Sequence, residues 1–407
     1  MSGGGCVDWD PDSGTESTQR AWGTGPYRGS GQPGAPVDRN PGAAGRVPPA
    51  GDEGWRTRLV GMVFVAVWQL ARRLPERLVL ACGDLGGRLA WRWARGLRAD
   101  VRRNLARVVP ADRLDAAARE AFRSYARYWV ESFRCADLDA ADLDRRTTTA
   151  GFEHLDGALA QGKGVIVLLA HHGSWDVAAR WAEDHGYHMA AVAEVLRARR
   201  LFEQFVGLRE AVGLEIVPLA KSRPGRPERS RPGGHEQSRP GRPEQSRPGR
   251  PEQSRPGRPE QSRPGGHEQS RPGGHEQSRP GGPGGRGTTA RLAQVLAANH
   301  LVGLLSDRDV GGSGTVVRLF GEDAPLPRGP VVLSQRTGAP IVPITMLQRP
   351  GGRWHLQVLP PVDVQGQGVG KGAQLVAEAI EQLIRLAPEQ WHAFSPVFAA
   401  DRAAGAA

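Results

Sequence analysis

A histidine closes an apolar run and a carboxylate follows five residues later, in Val165-Ile-Val-Leu-Leu-Ala-His171-His172-Gly173-Ser174-Trp175-Asp176. An imidazole takes a proton from a hydroxyl near neutral pH, and a carboxylate beside it fixes its tautomer and stabilises the imidazolium. His171 and Asp176 therefore read as a base and its orienting partner, with His172 as the alternative base. No Gly-x-Ser-x-Gly elbow lies nearby, so the hydroxyl to be activated is expected on a substrate rather than on the chain. A His-x-x-x-x-Asp spacing alone is common in loops. The strand-like run before this one and the helical pattern after it give it weight.

Those two residues need a rigid platform, and the surrounding pattern supplies one. Apolar runs of strand length occur at 164–170, 188–193, 214–219, 301–306, 315–320, 340–347 and 354–359. Amphipathic helical stretches lie at 175–184, 198–212, 288–299, 328–337 and 371–387. Strands separated by helices of this length imply crossover connections. The expected fold is α/β, a single domain with a largely parallel central sheet flanked by helices. In such sheets ligands bind outside the carboxyl ends of the strands, where His171 falls.

Two segments stand apart in composition. Residues 1–54 are rich in Gly, Pro, Ser and Asp, and residues 222–286 repeat Ser-Arg-Pro-Gly-(Arg-Pro or Gly-His)-Glu-Gln, as in Ser246–Gln253 and Ser270–Gln277. Neither has enough apolar surface to offset chain entropy, so both are expected to be disordered. The remaining divisions are an N-terminal helical part over 55–150, an α/β core over 151–221 and 287–400, and a tail over 401–407. The formal charge of +11 is also uneven: residues 222–286 hold 14 Arg and 7 Glu. That basic excess sits in a Pro/Gly repeat without aromatic residues for base stacking, so no nucleic-acid partner is expected.

Cys6, Cys82 and Cys135 support neither a disulfide framework nor a zinc site, and no charged-then-apolar leader opens the chain. Leu59 to Leu70 is apolar but about twelve residues long, short of the ~20 that a spanning helix needs. Arg72, Arg73, Arg77, Arg88, Arg92, Arg95, Arg98, Arg102 and Arg103 follow, interleaved with Trp91 and Trp93. Short apolar helices rimmed by Arg and Trp suit an interfacial anchor on an anionic membrane. A core helix with a solvated basic face is the alternative.

Several short motifs occur in order: Asn104-Leu-Ala-Arg-Val108, Tyr125-Ala-Arg-Tyr-Trp-Val-Glu-Ser-Phe-Arg134, His171-x-x-x-x-Asp176, Ser306-Asp-Arg-Asp309, Leu319-Phe-Gly-Glu322 and Gln390-Trp-His-Ala-Phe-Ser-Pro-Val-Phe398. Together they resemble the glycerolipid acyltransferase superfamily, in the branch of the lipid A late acyltransferases and the actinobacterial phosphatidylinositol mannoside acyltransferases. The resemblance covers roughly residues 59–400 apart from the repeat, which reads as an insert in a surface loop. It implies transfer of a fatty acyl group from acyl-CoA to a mannose hydroxyl of phosphatidylinositol mannoside. It further implies a peripheral protein on the cytoplasmic face of the plasma (inner) membrane, with His171 as base and Asp176 as its charge partner.

Carried over position by position, the resemblance also assigns Glu322 to the active site and Glu194 and Arg209 to the pocket. Arg209 is expected on donor phosphates or the acceptor headgroup, and Asp307, Arg308 and Asp309 on the acceptor sugar. Asp-x-Asp can bind a divalent cation, but the family reaction implies no metal and no cofactor beyond acyl-CoA as donor substrate. A lipid A type late acyltransferase is the nearest alternative. A non-catalytic membrane- or RNA-binding protein built on the basic repeat is the alternative from another class.

Overall fold

The computed structural model describes residues 55–194, 199–219 and 283–406; the expectations for 1–54 and for the repeat up to 282 lie outside the described residues. Helices come first: α1 (Trp55–Arg73), α2 (Glu76–Trp93), α3 (Arg95–Leu105), α4 (Leu114–Arg134) and α5 (Ala140–Arg145). Then strands and helices alternate: β1 (Thr147–Ala150), α6 (Phe152–Leu159), β2 (Val165–Leu169), α7 (Trp175–Asp184), β3 (Met189–Glu194), α8 (Arg199–Glu210), β4 (Glu215–Leu219), α9 (Pro283–Ala297) and β5 (Leu301–Leu305). A hairpin, β6 (Thr315–Leu319) and β7 (Glu322–Leu326), precedes α10 (Gly329–Thr337), β8 (Ile341–Arg349), β9 (Arg353–Val358), α11 (Val369–Arg385) and α12 (Ala399–Ala406).

Seven strands form one sheet in the order β1-β9-β8-β2-β5-β3-β4. The five from β8 to β4 run parallel, while β9 pairs antiparallel with β8 and carries β1 with it. The sheet is therefore largely parallel, as expected, with a reversed edge. β6 and β7 form a separate antiparallel pair. The short β1 and β7 carry only brief apolar patterns, Thr-Thr-Thr-Ala and Glu-Asp-Ala-Pro-Leu, which is why no strand is expected there.

The sheet is covered on both faces, and β2 shows how. Ile166 and Leu168 enter a core with α9, α10 and α11, while Val165 and Val167 enter a second core with α6 and α7. Successive side chains on a strand point to opposite faces, so a fully apolar run is what a doubly covered strand requires. α11 buries Val376, Ile380, Leu383 and Ile384, one stripe at helical spacing. α2 lies tightly on α4: a β-carbon at Gly87 would stand 2.9 Å from the Phe122 carbonyl oxygen.

A third, smaller cluster lies under α1, α2, α4 and α8, with Ala71, Val79, Val130, Phe133 and Leu208 buried. The outer side of α1 and α2 is different. Leu59, Met62, Val63, Val67 and Leu70 on α1, and Leu78, Leu85, Leu89 and Trp93 on α2, are exposed. Arg73, Arg77, Arg88 and Arg92 are exposed beside them. Among the described residues no helix is long and apolar enough to cross a membrane.

Candidate active site

Leu169 pairs with Leu305 across the parallel strands β2 and β5. Each strand ends with Leu-Leu and is followed, two residues on, by a titratable side chain: His171 after β2, Asp307 after β5. The Ser306 amide donates to the Leu169 carbonyl at 2.9 Å and holds the two exits level. His171 Nδ1 then donates to Asp307 Oδ1 at 2.6 Å. The expected partner, Asp176, is not among the hydrogen-bond partners of His171, so the orienting carboxylate comes from the neighbouring strand. The sequence pattern Leu-Leu-x-His and Leu-Leu-x-Asp was the available signal, but it needs the adjacency of β2 and β5 to be read.

Asp307 is fully buried. Burial alone opposes its ionisation. The His171 imidazole on Oδ1, with Arg308 and Trp391, outweighs that and holds the carboxyl below the usual carboxylate range. With Nδ1 donating, the lone pair of His171 lies on Nε2. It accepts from Arg308 Nη2 at 3.2 Å, while Arg308 Nε is buried with no partner among the described residues. The Trp175 ring meets the His171 ring edge-on at 5.5 Å between centroids.

His172 serves the framework. Its Nε2 donates to the Ala387 carbonyl at 2.8 Å, and its Nδ1 shares a 2.9 Å hydrogen bond with Thr345 Oγ1. Burial pushes its pKa down to about 4, so it is neutral and both nitrogens are engaged. His171, by contrast, turns the lone pair of Nε2 to a cation. Gly173, at φ +64°, makes the turn between strand and helix: a β-carbon there would lie 2.1 Å from the Met346 carbonyl oxygen.

Beyond that turn, Asp176 enters the first turn of α7 on a side away from His171. It is buried, and its Oδ2 accepts from Tyr128 Oη at 2.7 Å and Ser132 Oγ at 2.9 Å, both on α4. Its Oδ1 accepts from Arg209 Nε of α8 at 3.2 Å. The partly buried Arg209 is thus ion-paired through Nε with Asp176. Burial works against its charge, but Asp176 beside it holds the proton more firmly than usual. Asp176 thus ties α4 and α8 to α7, and Tyr128 stacks on Trp175 at 3.9 Å.

The other expected site residues are dispersed. Asp309 is buried and caps its own loop, accepting from the amides of Gly311, Gly312 and Gly314 at 3.0, 3.0 and 2.8 Å. Glu322 opens β7 and accepts from Arg107 Nη2 at 2.8 Å; that arginine holds its carboxyl below the usual range. No hydrogen bond joins Glu322 to His171, Asp307 or Arg308. Glu194 is the last residue of β3, and its side chain lies outside those described. Among the described residues no group of three or more His, Cys, Asp or Glu is arranged to hold a metal ion.

An apolar cavity opens between α7 and the sheet, lined by Val167, Leu169, Trp175, Trp181, Met189 and Ile344 among others. Trp175 belongs both to this cavity and to the surroundings of His171. Residues of the closing motif, read only as a family signature, also reach the site: Trp391 Nε1 donates to Asp307 Oδ2 at 2.9 Å, and the His392 amide donates to the His171 carbonyl at 2.7 Å.

A histidine–carboxylate pair stands at the carboxyl ends of adjacent parallel strands, an arrangement that can activate a hydroxyl. The sequence profile of the bacterial lipid A biosynthesis acyltransferase family matches residues 56–222 and 286–399, and the chain belongs to that family. The match breaks across the repeat. The chain is 28% identical over 361 residues to the phosphatidylinositol mannoside acyltransferase of Mycolicibacterium smegmatis, covering 88% of this chain and 95% of that protein. It is 29% identical over 345 residues to the protein of the same description from Mycobacterium tuberculosis, covering 83% of this chain and 88% of that one.

Proposed function

We propose that this acyltransferase moves a fatty acyl group from acyl-CoA to a mannose hydroxyl of phosphatidylinositol mannoside. The observation that carries the reading is the His171–Asp307 pair with its lone pair on Nε2, in a chain that aligns with nearly the full length of two proteins so described. The acceptor hydroxyl takes the place of the Arg308 guanidinium at Nε2 and gives up its proton there. The oxygen attacks the thioester carbon, and the tetrahedral intermediate collapses, expelling the CoA thiolate. His171 returns its proton to that sulfur. Asp307 stabilises the imidazolium throughout. Arg308 is the cation nearest the reacting oxygen and favours the negative charge that develops in the transition state.

The membrane supplies the acceptor in this reading. The exposed apolar stripe of α1 and α2, flanked by Arg73, Arg77, Arg88 and Arg92, suits the cytoplasmic face of the plasma membrane, with apolar residues in the acyl boundary and arginines on anionic headgroups. The cavity shared by Trp175 offers apolar surface next to the reacting centre. The family description favours one second reading, acylation of a lipid A precursor. Purified protein with acyl-CoA and either mannosylated phosphatidylinositol or a lipid A precursor, read by mass spectrometry, separates them. Product on the first acceptor and not on the second is expected. Product on neither acceptor, with membrane binding intact, would favour a non-catalytic role.

A further inference from the structure

Asp307 has two oxygens and no exposed surface. One oxygen serves His171; among the described residues, the other accepts only from the Trp391 indole, at 2.9 Å. Trp391 is itself 1% exposed and is gripped from both sides. Before it, the Gln390 side chain brackets the Gln348 backbone, accepting from its amide at 2.8 Å and donating to its carbonyl at 3.0 Å. After it, Asn104 Nδ2 of α3 donates to the carbonyls of Ala393 and Ser395 at 2.8 and 2.9 Å. Meanwhile the 390–392 backbone clasps the His171 turn: the Gly173 amide donates to the Gln390 carbonyl at 3.1 Å, and the His392 amide to the His171 carbonyl at 2.7 Å.

We propose that Trp391 is a positioning residue for the dyad, its indole N–H holding Asp307 in the rotamer that presents Oδ1 to His171 Nδ1. A buried carboxylate oxygen without a donor turns to find one, because an unmet acceptor in dry surroundings is unfavourable. The donor on Oδ2 therefore fixes the angle of the carboxylate, and with it the tautomer of His171. It also draws off part of the carboxylate's charge. Removing it lets Oδ1 swing away from Nδ1, which outweighs the charge returned to the carboxylate, so His171 should give up its proton at lower pH. The other charged or titratable groups facing the pair leave this sign unchanged. His172 and His392 are held neutral by burial, and burial keeps the Tyr125 and Tyr128 phenols protonated. The Arg308 contact at Nε2 and the Asp176–Arg209 pair are common to the natural protein and to one lacking that indole donor.

The kinetic arm of the test rests on the acyl-transfer reading; the spectroscopic arm does not. In folded Trp391→Phe, kcat should fall about 10- to 100-fold, the range typical of losing a group that orients a catalytic partner. KM for both substrates should stay within about twofold. The acid limb of the pH–rate profile should move to lower pH. Without any substrate, the His171 ring proton resonance, assigned by its loss in His171→Ala, should titrate at lower pH in Trp391→Phe than in the natural protein. Should the phenylalanine variant fail to fold, benzothienylalanine at position 391 keeps the volume and removes only the N–H. A His171 titration that is unmoved, or that moves to higher pH, in either folded variant would overturn the proposal that Trp391 sets the angle of Asp307. Absence of acyl transfer by the natural protein would sink the functional reading alone and leave the titration to judge Trp391.

Discussion

His171 and Asp307, 136 residues apart in the chain, meet at 2.6 Å because their strands are neighbours that end at the same height. Asp176, five residues from His171, is instead bound to Tyr128, Ser132 and Arg209. The two carboxylates therefore have different work, and substitution should separate them.

Asp307→Asn should lower kcat by roughly 10² to 10⁴, since an amide cannot stabilise the imidazolium and can favour the wrong tautomer. Its thermal stability should change little by comparison. Asp176→Asn should do the reverse: it leaves the Arg209 charge buried and unpaired, which costs about 3–5 kcal/mol. Steady-state kinetics and thermal melts on both variants decide the matter. If Asp176→Asn gave the larger kinetic loss with an unchanged melting temperature, Asp176 would be acting on His171 after all.

Acid should destabilise the protein through His172. An unfolded histidine titrates near ~6.5, whereas burial holds His172 at about 4 in the fold. Between those values the unfolded chain binds a proton that the native chain refuses. Stability is therefore complete above the unfolded value and is lost as pH falls from there toward the folded one. The loss from this residue is on the order of 3 kcal/mol. His392, displaced in the same direction by burial and by its two histidine neighbours, adds to it. Urea midpoints at about pH 7.5 and about pH 5 should differ clearly. Coincident midpoints would mean that His172 is not held neutral.

Much of this architecture is legible in the chain. Doubly covered strands are continuous apolar runs, and each predicted run from 164–170 to 354–359 coincides with an observed strand to within two residues. The platform of His171 follows from that alone. The pairing of His171 does not, because a five-residue offset tempts the reader to join His171 to Asp176, whereas Gly173 turns the chain so that Asp176 faces α4. Asp307 and Trp391 reach the site through the sheet order and through the backbone clasp at 390–392, both long-range relationships with no local periodicity. Arg209 is assigned to the pocket by the family resemblance alone, and only the fold reveals that it has a buried carboxylate partner, Asp176.

The α1–α2 surface predicts membrane binding without insertion across the bilayer. Flotation with anionic vesicles should recover the protein at low salt, and recovery should fall in high salt as exposed arginines are screened. Leu85→Ser with Leu89→Ser, both on the exposed side of α2, should weaken binding while leaving the melting temperature unchanged. Binding that ignores both salt and these substitutions would move the contact elsewhere.

Deleting residues 223–281 should leave acyl transfer close to that of the natural chain. The segment is the Pro/Gly repeat, and it has no apolar residues to contribute to either core. Its flanks already meet: Thr288 Oγ1 of α9 donates to the Pro218 carbonyl of β4 at 3.1 Å, and Arg291 pairs with Glu215 at 2.6 Å. A short Gly/Ser link should therefore close the gap without strain, as connections between such elements are commonly ~2–6 residues. α9 begins at Pro283, earlier than the expected end of the insert at 286, so the cut must stop before it. His171, Asp307, Arg308 and Trp391 all lie outside the deleted stretch. Arginine outnumbers glutamate in the repeat, so a weaker hold on anionic vesicles is the one expected side effect. Specific activity and thermal stability, measured side by side, check the prediction. Activity that collapsed in a protein of unchanged stability would make the repeat part of substrate capture rather than a passive insert.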